Sequence, residues 1–268
     1  MLLQNKNAVI YGAGGSLGGA VARALAKEGA YVFLTGRGKE TVEKTLNDII
    51  NKGGRAEMAI VDATNKEQVD NHMSDLIKKA GAIDISYNAI FIPDVQGIPL
   101  VDLTPDEFAN VVDVAMRTQF ITATAAGRNM RKQGSGVILS LTATPGGIGY
   151  PLVGGFGPAC CAMESFSRGL ASELGPYGVR VINMRSAGSP DSNPFINAVK
   201  HDPVFTQEFM TKMQNDTMLK KLPMIADIAN VAVFLSSDNA AMITGVTIDI
   251  TAGTTAALNY KAIKTPFI

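Results

Sequence analysis

Tryptophan is absent, histidine occurs only at His72 and His201, and the only cysteines are the adjacent Cys160 and Cys161. Neighbouring cysteines cannot staple distant segments, so no disulfide framework supports the fold, which suits a reducing compartment. No cluster of Cys, His and carboxylates has metal-ligand spacing, so no metal site is expected. Net charge is missing as well: 24 Lys plus Arg balance 24 Asp plus Glu. A neutral chain carries no electrostatic footprint for a nucleic-acid backbone or an anionic membrane. No apolar run approaches the roughly 18 residues that span a bilayer. The opening MLLQNKNAVIYG runs straight into a strand, without the cationic segment and cleavage site of a signal peptide. These absences predict a soluble, cytoplasmic protein.

What is present is a long alternation. With 268 residues, 46% of them hydrophobic, the chain has ample material for one continuous core. Strand-like runs fall at Ala8–Tyr11, Tyr31–Leu34, Ala56–Val61, Ile83–Tyr87, Val137–Leu141, Val179–Met184 and Thr247–Ile250. Between them lie helical spacings at Leu17–Ala26, Val42–Ile50, Val69–Ile77, Phe108–Met130, Ala159–Leu174 and Ile225–Leu235. Thr104-Pro105-Asp106-Glu107 reads as a capping box with proline at the first helical position. Strands alternating with helices of this length predict an α/β protein, a doubly wound parallel sheet with helices on both faces. No linker divides residues 1–268, so a single domain is expected. Residues 188–222 break the rhythm with Pro, Ser and Asn followed by a weakly helical stretch. An insertion after a late strand of an open α/β sheet commonly covers the ligand crevice, so this segment reads as a lid.

The first strand-to-helix turn is Gly12-Ala13-Gly14-Gly15-Ser16-Leu17-Gly18. Glycines there let the backbone approach a pyrophosphate, and the N–H groups at the helix start then face the anion. Neither standard spacing is complete. Gly-x-x-x-Gly-x-Gly finds Gly12 and Gly18 but Ser16 in the middle, whereas Gly-x-Gly-x-x-Gly finds Gly12 and Gly14 but Leu17 third. The second strand ends Thr35-Gly36-Arg37, with no carboxylate to bind the ribose 2′-hydroxyl of NAD. Arg37 suits the NADP phosphate instead, so NADP(H) is favoured over NAD(H).

These landmarks resemble the short-chain dehydrogenase/reductases over roughly residues 5–256. Val61-Asp62-Ala63 is similar to the family's adenine-contacting segment, and Tyr87-Asn88-Ala89-Ile90 stands where the family has Asn-Asn-Ala-Gly. Glu173 through Val181 is similar to the run from its central helix into its sixth strand. Ser186-Ala187-Gly188 holds the place of its Pro-Gly turn, one residue longer here, and Ile228 through Gly245 resembles its C-terminal helix and last strand. The resemblance implies a Rossmann fold binding a dinucleotide through Gly12, Gly14, Ser16, Leu17, Gly18, Arg37, Asp62, Ala63, Asn88, Ala89, Ser186 and Gly188. It also implies a homodimer or homotetramer, built on the two long helices and the last strand.

The same resemblance implies a catalytic Asn, Ser, Tyr and Lys, and here this chain departs from the pattern. The alignment places Ala115 at the asparagine, Ala143 at the serine, Phe156 at the tyrosine and Cys160 at the lysine. Phe156 has no proton to transfer, and a positioned general acid contributes about 10²–10⁴ in rate. No catalytic residue is therefore assigned, although Tyr150, six residues before Phe156, is one alternative proton source. Three readings remain: an oxidoreductase with a non-standard proton donor and an unknown small-molecule substrate, a non-catalytic NADP(H)-binding sensor or partner subunit, or a structural protein that has also lost the nucleotide, which the substitutions at Ser16, Tyr87 and Ile90 leave open. The retained glycine turn and Arg37 tip the balance towards the enzyme.

Overall fold

The computed structural model describes residues 1–256; residues 257–268 of the expected 1–268 domain lie outside the described residues. Seven parallel strands form one sheet in the order β3-β2-β1-β4-β5-β6-β7. They are β1 (Asn7–Tyr11), β2 (Tyr31–Gly36), β3 (Arg55–Ile60), β4 (Ile85–Asn88), β5 (Gly136–Ala143), β6 (Val179–Ser186) and β7 (Thr247–Ile250). Eight α-helices are described: α1 (Ser16–Lys27), α2 (Lys39–Asn51), α3 (Lys66–Ala80), α4 (Pro105–Gln133), α5 (Phe156–Leu174), α6 (Asn193–His201), α7 (Pro203–Asp216) and α8 (Ile225–Ser236). The doubly wound α/β architecture expected from the alternation is the one observed.

Strands buried on both faces need apolar residues at every position, and Ala8, Val9, Ile10 and Tyr11 of β1 are all fully buried. Ala8 and Ile10 face a core shared with α1, α2 and α8. Val9 and Tyr11 face the other core, shared with α3, α4 and α5. The order of the strands reverses between β1 and β4, so their C-terminal ends part there and leave a crevice.

Helix ends follow local chemistry. Glu107 accepts the Thr104 N–H (2.9 Å) and donates its own N–H to the Thr104 hydroxyl (3.3 Å), completing the expected box. α5 starts at Phe156, three residues before the apolar spacing suggests, because Pro158 sits in the first turn, where no N–H partner is needed. Residues 188–222 hold two helices rather than one weak stretch. They are separated at Asp202, whose side chain accepts the Phe205 N–H (3.0 Å) ahead of Pro203.

Candidate functional site

The turn after β1 is built by close backbone approach. Gly12 and Ala13 both donate to the Thr35 carbonyl (3.1 and 2.9 Å), folding the turn across the end of β2. Gly12 adopts φ +83°, and a Cβ there would fall 2.5 Å from the Ala89 oxygen. A Cβ on Gly18 would fall 2.3 Å from the Gly12 oxygen, so α1 can pack on the turn only with glycine at that place. At Gly14 the obstacle would be the Thr41 hydroxyl, 2.3 Å away. No side chain caps the N-terminus of α1, where Gly15 is the N-cap. Those first-turn amides and the helix dipole favour an anion. The Ser16 hydroxyl turns the other way and accepts the Asn193 N–H of α6 (2.8 Å).

A cleft of about 420 Å³ opens beside this turn, at the crevice between β1 and β4. It brings together Gly12, Gly14, Arg37, Asp62, Ala63 and Ala89 from four loops. Hydrogen bonds from the Thr64 backbone and hydroxyl (2.9 and 2.8 Å) hold the Asp62 carboxyl below its usual range, and Arg37 adds to the effect. Arg37 itself is exposed and makes no ion pair among the described residues. Thr41, Val114 and Thr118 also line the cleft and were not singled out from sequence. Thr41 follows Arg37 by one helical turn, a findable signal. Val114 and Thr118 share one face of α4 and reach the cleft only through the crossover.

The remaining sequence candidates stand off this cleft wall. Asn88 is a strut: its amide donates to Thr122 (2.9 Å) and its oxygen accepts the Ile90 N–H (3.0 Å). Gly18 is buried in the turn, and Leu17 packs on the core beneath it. Ser186 pairs with Ala143 where β5 and β6 end. Gly188 is covered from 188–222 itself, since a Cβ there would meet Phe195 at 2.6 Å and Met213 at 2.7 Å.

Ala115 and Phe156 meet in one apolar cluster with Ile92, Val111, Ala159 and Met163. Cys160 is fully buried beside the Ala143 backbone, and burial pushes its thiol up to about 12, so it is neutral at physiological pH. Cys161, one residue on, is exposed. Tyr150 is half-buried in the loop between β5 and α5; burial raises its phenol, which Lys212 of α7 lowers in part. Among the described residues, no group of three or more His, Cys, Asp or Glu is arranged to hold a metal. No described helix is long and apolar enough to cross a membrane.

A doubly wound parallel sheet whose first turn is a glycine cradle at a helix N-terminus defines a Rossmann-type, dinucleotide-dependent oxidoreductase. The family model described as Enoyl-(Acyl carrier protein) reductase matches residues 12–255, and the chain belongs to this family of short-chain dehydrogenase/reductases. An uncharacterized oxidoreductase of Thermotoga maritima is 29% identical over 96% of this chain and 100% of its own length. A versicolorin reductase of Emericella nidulans is 30% identical, over 94% of this chain and 96% of its own. Among solved structures, levodione reductase superposes with TM-score 0.88 at 25% identity, covering 95% of this chain and 99% of that one. NAD+-bound xylitol dehydrogenase superposes with TM-score 0.87 at 25% identity, covering 94% and 100%.

Proposed function

We propose that this chain is an NADP(H)-dependent oxidoreductase of a small-molecule carbonyl compound, working without the Asn, Ser, Tyr and Lys set that its family resemblance implies. The observation that carries the reading is the cleft. Glycines that no other residue can replace without collision, an uncapped helix start and an arginine with no ion-pair partner among the described residues stand around one crevice. The pyrophosphate fits the turn and the first amides of α1, and the adenosine end fits between Asp62-Ala63 and Ala89. Arg37 meets the 2′-phosphate, which a bidentate guanidinium matches in shape and charge. When bound, the dinucleotide supplies the electron pair for reduction. The chain's own residues hold it, cover it with 188–222 and deliver a proton.

Ala115, Ala143, Phe156 and Cys160 offer no proton donor of the family's kind at the far end. Phe156 and Ala115 are packed against apolar neighbours, and the buried thiol of Cys160 is neutral and lacks a lysine's charge. That apolar cluster equally favours a second reading, a non-catalytic NADP(H)-binding sensor or partner subunit. Single-domain folding of 1–268 and a homodimer or homotetramer formed through α4 and α5 belong to the same proposal. The half-exposed Phe120 of α4, its ring tilted against that of Phe166 of α5 with centroids 6.0 Å apart, is the feature that supports the association.

Incubating the protein with NADPH and panels of ketones, enones and imines separates the two readings. The enzyme oxidises NADPH in step with acceptor reduction for at least one compound, and Gly18→Val abolishes it. Tight NADPH binding with no consumption across every panel would establish the non-catalytic reading instead.

A further inference from the structure

We propose that the acceptor reduced by this protein is a quinone, a flat and uncharged carbonyl compound whose reduced form is a phenolate; this substrate class rests on the oxidoreductase reading above. The cleft differs across β1. Arg37, Asp62 and Thr64 follow β2 and β3 on one side, whereas Ile90, Phe91 and Pro93 follow β4 on the other. The β4 side continues into the apolar cluster, because Ile92 stands between Phe91 and Pro93 and Ala115 follows the cleft residue Val114. Phe156 joins that cluster from α5, which starts hard against α4: a Cβ on Gly155 would fall 2.3 Å from the Phe108 oxygen. Beyond the end of β6, Phe195 and Met213 close over Gly188 from the lid. Burying a polar acceptor against such surfaces costs free energy with no hydrogen bond in return, whereas a flat apolar ring loses nothing there.

The hydroxyls on this side are already committed. Thr118 donates to the Val114 carbonyl (2.9 Å), Thr142 to the Glu164 carboxylate (2.9 Å) and Thr144 to the Ser186 carbonyl (3.4 Å). The phenols of Tyr11 and Tyr87 are fully buried in the two cores, out of reach of the solvent that must reload an acid after each turnover. Tyr150 lines a separate hollow of about 510 Å³ that shares no residue with the cleft.

Acceptor chemistry then decides. Hydride transfer to a saturated ketone leaves an alkoxide about as basic as hydroxide, whose conjugate acid has a pKa of about 15.7, so a proton is needed as the anion forms. Transfer to a quinone leaves a phenolate, whose conjugate acid resembles tyrosine at about 10. That is roughly a 10⁶-fold lower demand for the proton, and the anion can form first and be protonated later. The step balances as follows. One quinone oxygen takes a hydrogen with its electron pair from the reduced dinucleotide, forming an O–H bond. The π electrons redistribute into an aromatic ring, and the second C=O becomes C–O⁻. This phenolate takes a proton that comes ultimately from solvent, giving a hydroquinone and an oxidised dinucleotide.

The test uses the full chain with NADPH and two acceptors, cyclohexanone and tetramethyl-1,4-benzoquinone, whose ring carbons are blocked against addition of the exposed Cys161 thiol. The quinone's kcat/KM exceeds that of the ketone by more than about 100-fold, the lower scale of a missing general acid. In a single turnover its reduction runs equally fast in water and heavy water, and Gly18→Val abolishes it. A smaller ratio, a slowing in heavy water or quinone reduction that survives Gly18→Val overturns the quinone proposal. Cyclohexanone reduced at a comparable rate would do so while leaving the oxidoreductase reading intact. A parent protein that binds NADPH and reduces neither of these nor any ketone, enone or imine overturns that reading, and the acceptor class with it.

Discussion

Arg37→Leu lowers the affinity for NADPH by about 10- to 100-fold and leaves that for NADH within about threefold. The magnitude follows from charge-assisted hydrogen bonds worth roughly 1.5–3 kcal/mol, at 1.4 kcal/mol per tenfold. Arg37 follows the end of β2 on the cleft wall, and the turn Thr35-Gly36-Arg37-Gly38 carries no carboxylate that could repel a phosphate or bind a ribose 2′-hydroxyl. Asp62, the acidic residue that lines the same cleft, is committed to Thr64 through two hydrogen bonds. Removing the guanidinium therefore deletes a phosphate contact without creating a ribose contact. NADPH loses affinity and NADH gains none. Isothermal calorimetry on the parent and the variant, at one fixed ionic strength, gives both numbers. Equal losses for the two cofactors would assign Arg37 to the pyrophosphate or to the fold rather than to the 2′-phosphate.

Glu164→Ala destabilises the protein by about 3–5 kcal/mol, the cost of leaving a buried charge without its partner. For a chain of this size that is a fall in melting temperature on the order of 10 °C. Glu164 is 5% exposed on α5 and takes two hydrogen bonds from Arg185 of β6, at 2.9 and 2.5 Å, and one from Thr142 of β5 at 2.9 Å. Arg185 reaches on to Asp249 of β7 at 3.1 Å, so one carboxylate organises three strands and a helix. The variant leaves the 15%-exposed guanidinium with Asp249, 32% accessible, as its one charged partner among the described residues, and a long hydrogen bond to the Gly146 carbonyl (3.4 Å). By contrast Asp75→Ala, which breaks a pair with 73% of each side chain exposed, shifts stability by less than about 1 kcal/mol. Differential scanning calorimetry compares the two. Because Glu164 does not line the cleft beside the glycine turn, NADPH affinity of the folded variant stays near that of the parent.

The central strands β1, β2 and β4 were legible because strands buried on both faces are almost continuously apolar, and the edge strands β3 and β7, with Glu57 and Asp249 in them, from the helical spacing before each. Strand ends were less so. β5 continues past Leu141 to Ala143, because Thr142 is buried and bonded to Glu164, a satisfaction of polarity that no local pattern displays. α6 and α7 were hidden because Asp202-Pro203 ends one helix and caps the next within a segment rich in polar residues. At the site, Gly12, Gly14 and Arg37 announced themselves through the chemistry of one turn and one strand end. The Asn193 N–H on Ser16 joins residues 177 apart in sequence, and only the winding of the chain brings 188–222 back over the glycine turn.

The central claim is that the glycine turn and Arg37 form an NADP(H) site, and titrating the parent protein with NADPH and, separately, NADH tests it most directly. Cofactor fluorescence or heat should show one site per chain for NADPH, with NADH at least about tenfold weaker, the minimum expected from one charge-assisted phosphate contact. Binding of neither cofactor would contradict the account at its root, and NADH bound as tightly as NADPH would contradict the role given to Arg37.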